Sequence, residues 1–348
     1  MIFRQLYDSG TSTYTYLIAD EASGQAALVD PVREQLERDL KLLRELELQL
    51  VYVLDTHVHA DHVTAAGNLR TKTGAKTIGG AGGAQCSDLK AADGDTFRLG
   101  ALEIRVLETP GHTSDSLSLL IGDRVLTGDA LLVRGTGRTD FQNGDAGALY
   151  DSITQKLFSL PDATLVYPGH DYRGHEISSI GEEKRYNPRL AGKSRAEFVD
   201  LMSKLQLPRP ARIDEAVPAN RACGNASALV DAAWAGARPS DAFRDISVRA
   251  AYPLRGQVRF VDVRDPEEYR AEHIAGAELF PQRTLGDAAG GWSRSAPLVL
   301  VCRSGNRSAR AAAELAKLGF ERVLNLQGGM LDWQAQGFDV VSSGAQGA

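Results

Sequence analysis

Residues 56–62, Thr-His-Val-His-Ala-Asp-His, follow directly on an apolar, strand-like run, Leu50-Val51-Tyr52-Val53-Leu54. Three imidazoles and one carboxylate crowd into six positions at the point where a chain leaves a sheet edge. Nitrogen and hard oxygen ligands are thereby concentrated in one short loop. Neutral imidazoles suit zinc, iron or copper, and a carboxylate adds charge for a divalent ion. The chain has seven histidines in all, so this density points to a metal site and not to a solvated loop.

At 348 residues the chain is long enough for two domains, each with its own core. A hydrophobic content of 43% and a charged content of 24% are those of an ordinary globular protein. The formal net charge of −6 provides no basic field for nucleic acid or an anionic membrane. An anionic substrate must therefore be held by locally placed arginines. The N-terminus, Met1 to Ser9, lacks a signal-peptide apolar core, and no run approaches the roughly 20 apolar residues of a membrane span. Cys86, Cys223 and Cys302 are too few and too scattered for a disulfide scaffold. A reducing, cytoplasmic location is expected, with Cys86 and Cys223 as small buried hydrophobes.

Up to about residue 190, strand-like and helix-like segments alternate. Leu102, Ile104 and Val106 alternate with polar residues as a half-buried strand does. Gly122-Asp123 between two apolar runs reads as a two-residue hairpin. Asp145–Leu160 reads as one helix ended by Pro161, and Ser194-Arg195-Ala196-Glu197 as a capping box opening another. The stretch from Leu207 to Pro218 is proline-marked and reads as irregular. Residues 235–240 look like a linker. Beyond it, Val258–Val263 and the fully apolar Leu298–Val301 read as strands, and Ser308–Leu318 as an Ala-rich helix closed by Gly319. Strands alternating with helices imply a second, small α/β domain.

Further ligand types recur at strand-to-loop junctions: Thr109-Pro110-Gly111-His112, Leu126-Thr127-Gly128-Asp129 and Tyr167-Pro168-Gly169-His170. Five of the seven histidines lie in these positions; His175 and His273 fall outside. This ordered set resembles the metallo-β-lactamase superfamily over roughly residues 1–190. The resemblance implies an αβ/βα sandwich with the metal at the sheet edges. In that superfamily the full set means two metals, one on His57, His59 and His112, the other on Asp61, His62 and His170, with Asp129 bridging. Ligand counting alone would suggest a dinuclear hydrolase with a metal-activated hydroxide.

Three other segments, Gly137-Arg138-Thr139-Asp140-Phe141-Gln142, His170-Asp171-Tyr172-Arg173-Gly174 and residues 182–189, are similar to the persulfide dioxygenase branch. That branch is related to glyoxalase II but keeps one Fe(II) per chain. Its ligands map onto His57, His112 and Asp129, a two-histidine, one-carboxylate set with open positions. His59, Asp61, His62 and His170 would then orient ligands or manage protons. The implied reaction oxidises glutathione persulfide with O2 to sulfite and glutathione. Arg138, Tyr172 and Arg173 are the candidates for holding the tripeptide, with a structural Arg138–Asp140 pair as the competing role for that arginine.

A second site is Val301-Cys302-Arg303-Ser304-Gly305-Asn306-Arg307-Ser308. Cys302 ends an apolar strand and the loop runs into a helix. Successive backbone N–H groups and the helix N-terminus both favour a thiolate. Arg303 and Arg307 make the mouth attractive to a dianion. A cysteine phosphatase needs five residues between Cys and Arg, whereas four separate Cys302 from Arg307. The tighter loop resembles rhodanese sulfurtransferases, as do Phe260 to Tyr269, His273-Ile-Ala-Gly-Ala and Gly328 to Trp333. Cys302 would carry a persulfide, with Arg303, Ser304, Gly305, Asn306 and Arg307 forming the sulfur-substrate loop. Asp262, Arg264 and His273 read as supporting the fold.

The expected organisation is a metallo-β-lactamase-like domain over 1–236, including an extension from about 191, a linker at 237–245 and a rhodanese domain at 246–348. The fusion implies persulfide oxidation coupled to sulfur transfer between thiosulfate or sulfite and glutathione or its persulfide. Neither nucleic acid nor membrane is an expected partner, and related dioxygenases suggest a homodimer. The rival reading is a dinuclear zinc glutathione thioesterase with a sulfurtransferase appendage.

Overall fold

Strand β2 (Thr13–Ala19) shows how the N-terminal part is built: all seven residues are buried. Tyr14, Tyr16 and Ile18 enter one apolar cluster, Leu17 and Ala19 another. This is the two-residue alternation of a pleated strand, here covered on both faces. The computed structural model describes residues 1–210, 212–224, 230, 233–240, 242–256 and 258–342. It divides into two compact units, Met1–Asn225 and Ala226–Ala348.

In the first unit, β1 (Ile2–Asp8), β2, β3 (Gln25–Val29), β4 (Gln49–Leu54), β5 (Lys76–Gly80) and β6 (Leu89–Ala91) form one sheet in sequence order. Pairing is antiparallel from β1 to β3 and parallel from β3 to β6. A second sheet runs β14-β13-β10-β9-β8-β7. Its strands are β7 (Thr96–Leu99), β8 (Leu102–Glu108), β9 (Leu117–Ile121), β10 (Arg124–Gly128), β13 (Leu165–Pro168) and β14 (Ser178–Ser179). The expected hairpin joins β9 to β10, with Gly122 in the left-handed region and Ile121 opposite Arg124. A two-stranded ribbon, β11 (Leu131–Leu132) and β12 (Gly135–Thr136), stands apart.

The sheets pack face to face. Val29, Leu54 and Ile78 from the first meet Ile104, Val106, Leu119 and Leu126 from the second in one cluster. Each such fully buried aliphatic contributes roughly 1.5–3 kcal/mol. On the outer face of the first sheet, Leu40 and Leu43 of helix Leu36–Glu45 and Leu69 of helix Ala66–Thr73 close a second core. On the outer face of the other, Leu149, Ile153, Ile180 and Phe198 close a third. The αβ/βα sandwich is therefore present.

Two local expectations change. A helix does begin after Asp145, which caps it by accepting from the Ala148 N–H. The continuation is not one α-helix: an α-helix at Ala146–Asp151 passes into a wider π segment at Ser152–Lys156 and a tight 3-10 turn at Leu157–Ser159. Thr154 bonds back to the Tyr150 carbonyl and Ser152 reaches across to Pro110, interactions that bend helices. The stretch read as irregular up to Pro218 instead holds helix Ile213–Arg221, with Pro218 inside it. The capping box at Ser194 and Glu197 is formed.

In the second unit, one sheet runs β15-β16-β20-β19-β17-β18. Its strands are β15 (Arg238–Pro239), β16 (Arg244–Ile246), β17 (Arg259–Asp262), β18 (Glu278–Leu279), β19 (Leu298–Val301) and β20 (Val323–Leu326). Every pair except β15–β16 is parallel. The parallel strand β19 is buried at all four residues, as strands covered on both faces must be. Within the stretch 237–245, β15 pairs with β16, and β16 continues into this sheet. Among the described residues no helix is long and apolar enough to cross a membrane.

Candidate functional site

Every ligand candidate of the first unit lies just past a strand. His57, His59, Asp61 and His62 follow β4, His112 follows β8, Asp129 follows β10 and His170 follows β13. Close backbone approach needs glycine here: a Cβ on Gly137 would collide with the Asp129 carbonyl and the His112 ring.

One ligand atom each from His57, His112 and Asp129 lies within 4.8 Å of the others. Hydrogen bonding decides which ring nitrogen is left for a metal. The Thr56 hydroxyl donates to Asp30 (2.8 Å) and so accepts from His57 Nδ1 (3.0 Å), which leaves His57 Nε2 with a lone pair. His112 Nδ1 donates to the Arg138 carbonyl at 2.7 Å, which leaves its Nε2 free, 3.6 Å from Asp129 Oδ2. Burial, then the neighbouring His59 and His112, hold His57 well below the usual histidine range. Two imidazole Nε2 atoms without a hydrogen bond of their own and a carboxylate are a donor set that fits a divalent ion.

The remaining residues of the motif face carboxylates. His59 Nε2 lies 3.1 Å from Asp30 Oδ1. Burial disfavours its charge, but Asp30, Asp61 and Asp55 outweigh that and push His59 up to about 9. His62 Nδ1 meets Asp61 Oδ2 at 2.8 Å. His170 is held at both ends, by Asp129 Oδ1 at 2.6 Å and by Asp61 Oδ2 at 3.0 Å. Burial opposes its charge, yet the two carboxylates raise it well above the usual range. With a donor required at each nitrogen, His170 has no lone pair left. His59 Nδ1 and His62 Nε2, by contrast, are buried without a partner, and one ligand atom each from His59, Asp61 and His62 lies within 4.8 Å of the others.

A cavity of about 760 Å³ opens above this centre, with Asp61, His112, Asp129 and His170 on its floor. Arg138, Tyr172 and Arg173, the sequence candidates for holding the tripeptide, all line it. Arg138 is largely committed elsewhere, in a two-pronged pair with Asp140 at 2.6 and 2.7 Å and a bond to the Pro208 carbonyl. Tyr172 stacks on His170, 5.6 Å between ring centres, and remains 67% exposed. Arg189, unassigned from sequence, also lines the cavity and donates to Thr136. Burial and the nearby Arg173 charge press its pKa down. The guanidinium groups of Arg173 and Arg189 meet no carboxylate among the described residues, although the Arg173 N–H donates to Asp171 Oδ1 at 2.7 Å. Asp30, Thr13 and Asn220 were likewise missed. Each bonds to the metal loop from a distant segment, and no spacing rule announces such a contact.

The expectation for two of the cysteines is overturned. Cys86 and Cys223 form a disulfide across a sequence separation of 137. Neither has a neighbourhood in sequence that signals pairing; only the fold brings them together.

In the second unit Cys302, 1% exposed, sits where β19 ends. Its Sγ accepts from the Gly305 N–H at 3.1 Å and the Ser308 hydroxyl at 3.2 Å. Burial works against the thiolate, but the Ser308 hydroxyl and the N–H groups of Ser308, Ser304 and Gly305 outweigh it and lower the pKa. Arg303, Ser304 and Asn306 are exposed around the sulfur. Arg307 is clamped by Glu268, a partner the sequence reading did not assign. Asp262 and Arg264 form a buried pair, Arg264 also donating to the Glu272 carbonyl. His273 stacks on Tyr269 with ring centres 3.7 Å apart.

Comparison with known proteins agrees with both halves. Residues 8–84 and 87–170 match the metallo-beta-lactamase superfamily, and residues 250–336 match the rhodanese-like domain. The mitochondrial persulfide dioxygenase ETHE1 of Homo sapiens is 45% identical over 228 residues, covering 64% of this chain and 89% of that protein. The crystal structure of ETHE1 from Myxococcus xanthus aligns with a TM-score of 0.64 at 64% identity, over 65% of this chain and all of that one. A solved metallo-beta-lactamase from Staphylococcus aureus subsp. aureus COL shares the fold over 93% of this chain and 98% of its own, with a TM-score of 0.60 and 22% identity. The chain thus belongs to the metallo-β-lactamase superfamily, in the branch of the ETHE1 persulfide dioxygenases, and carries a rhodanese-like domain on its C-terminal side.

Proposed function

We propose that the N-terminal unit oxidises glutathione persulfide with O2 and water to sulfite, glutathione and two protons, using one Fe(II) per chain on His57, His112 and Asp129. The observation that carries this reading is the division of labour among the imidazoles. His57 and His112 have their other nitrogen satisfied and a lone pair left over, whereas His59 and His170 are held as donors by Asp30, Asp61 and Asp129. Fe(II) in such a set supplies O2 activation and open positions for a soft sulfur ligand.

The chain's own residues do the rest. The guanidinium groups of Arg173 and Arg189, without carboxylate partners among the described residues, would receive the tripeptide's carboxylates, with Arg138 at the same wall. Tyr172, exposed and stacked on His170, would cover the reacting sulfur from solvent. His170 joins Asp61 to Asp129 and holds the latter's carboxylate in one orientation.

The C-terminal unit, in the same reading, moves sulfane sulfur. The Cys302 thiolate takes the outer sulfur of thiosulfate and releases sulfite; glutathione then attacks the Cys302 persulfide and leaves as glutathione persulfide, restoring the thiolate. The residues allow the reverse direction equally. A homodimeric assembly and a cytoplasmic setting belong to this reading; in the cytoplasm the Cys86–Cys223 bond would be a reversible one.

One observation favours the rival dinuclear hydrolase: the buried, unpartnered nitrogens of His59 and His62 beside Asp61. Metal analysis and oxygen uptake decide between them. About one iron per chain and O2 consumption matched by sulfite support the dioxygenase. About two zinc ions per chain, with thioester hydrolysis and no O2 uptake on glutathione persulfide, would overturn it.

A further inference from the structure

Asn220 stands in helix Ile213–Arg221, beyond residue 170, where the superfamily match ends. Its side chain is 2% exposed and makes three hydrogen bonds, all to the backbone of the ligand-bearing loop. Oδ1 accepts from the Thr64 N–H at 2.8 Å; Nδ2 donates to the His59 carbonyl at 2.9 Å and the His62 carbonyl at 2.8 Å. A planar head offering one acceptor and two donors is an amide. Aspartate would keep the acceptor and turn negative charge on two carbonyls. Alanine would leave three main-chain groups in the interior without partners.

The three groups bracket Asp61. Fixing the His59 and His62 carbonyls fixes the directions in which their rings leave the chain, His59 toward Asp30 and His62 toward Asp61. Asp61 in turn holds His170, which holds Asp129. The helix end is itself seated firmly on the loop. The Gly67 N–H bonds to the Cys223 carbonyl at 2.7 Å, Cys223 is bonded to Cys86, and a Cβ on Gly224 would collide with the Thr64 carbonyl. At the helix start Arg212 pairs with Glu34, and Glu215 pairs with Arg33.

We propose that Asn220 is a positioning residue of the metal centre, so that the extension carrying it is a working part of that centre and not an appendage. The proposal rests on the reading of His57, His112 and Asp129 as the metal set.

The test uses the full chain and Co(II) as the probe. Asn220→Ala and Asn220→Asp, each checked for folding by circular dichroism, are titrated with Co(II), and the visible absorption of the bound ion is recorded. Loss of an outer hydrogen-bonding partner costs 10–100-fold in metal affinity in comparable sites. An affinity at least tenfold weaker, with a shifted visible band, is expected for both. A second measurement needs no variant: by linkage, Zn(II) binding to the unaltered chain slows hydrogen exchange at the Thr64 amide at least tenfold. Co(II) affinity within twofold of the parent with an unchanged band in a folded variant overturns the proposal. If neither variant folds, an unaltered Thr64 exchange rate on Zn(II) binding does so. Should the parent bind Co(II) no better than His57→Ala does, the metal assignment itself has failed; a parent that binds while the Asn220 variants match it sinks only the role given to Asn220.

Discussion

Glu268 grips Arg307, five residues past Cys302, through two parallel hydrogen bonds of 2.6 and 2.7 Å. The arginine that the sequence offers as an open anion receptor is thereby paired with a carboxylate and held in one orientation. The Arg307 hydrogen bonds pull Glu268 down to about 2. With a folded value below the ordinary 4.5, the clamp is fully present above about pH 4.5 and is lost as pH falls toward 2. Glu268→Gln is expected to lower thiosulfate sulfurtransferase turnover about tenfold. Combined with Arg307→Ala it should cost less than the two single losses summed, a coupling of about 1 kcal/mol. Additive losses would show that the pair does not act together.

The Cys86–Cys223 bond closes a long loop and ties the extension to the sandwich. Cross-links of this kind stabilise by roughly 2–4 kcal/mol, mainly through the unfolded chain. Cys86→Ser should lower the denaturant midpoint of the N-terminal unit by that equivalent, and dithiothreitol should destabilise the parent by a similar amount while leaving the variant unchanged.

The two activities should separate cleanly. His57→Ala is expected to abolish O2 consumption and reduce bound iron to near zero while leaving thiosulfate–glutathione sulfur transfer within twofold. Cys302→Ser should do the reverse. Loss of both activities in either folded variant would mean one composite site.

Asp39 is fully buried in helix Leu36–Glu45, one oxygen bonded to Arg38 and the other unpartnered. Burial, only partly offset by Arg38, raises it to about 6. A carboxyl raised on folding favours the native state below about pH 4, and that contribution disappears as pH rises through about 6. Asp39→Asn should therefore raise the melting temperature at pH 8, by the equivalent of about 1–3 kcal/mol, with the gain vanishing near pH 4. A flat pH profile of the difference would refute it.

The lowered Cys302 thiol makes a simpler claim. Iodoacetamide should label it appreciably below the ordinary thiol value of about 8.5. Ser308→Ala, which removes the hydroxyl bonded to Sγ at 3.2 Å, should shift the labelling profile to higher pH.

Much of the site could be read from spacing. The strand-end positions of His57, His112, Asp129 and His170 are periodic consequences of apolar runs that stop at glycine or threonine. Strand β19 and the cradle that follows it were equally visible, because a four-residue apolar run and a Cys-to-Arg spacing are local properties. Helix Ile213–Arg221 was not visible, since a proline inside it argues against a helix while packing decides in its favour. Arg189 escaped for a different reason: its segment was quoted, but only the fold shows that it reaches the cavity without a carboxylate partner among the described residues.

By itself, the sequence determined which residue types stand at which strand ends and where Cys302 falls, the αβ/βα architecture being what the family resemblance of those residues implied. Those are matters of order along the chain. The tertiary structure alone decided which nitrogen of His57, His59 and His112 is left over, through Thr56, Asp30 and the Arg138 carbonyl. It alone paired Cys86 with Cys223, set Asn220 beneath the metal loop and put Glu268 on Arg307. A hydrogen bond requires two groups within about 3 Å at the right angle, and partners from separate segments meet that condition only once the sheets have packed. The His57–His62 motif thus supplies candidates, and the contacts around it give each of its histidines a different hydrogen-bond partner.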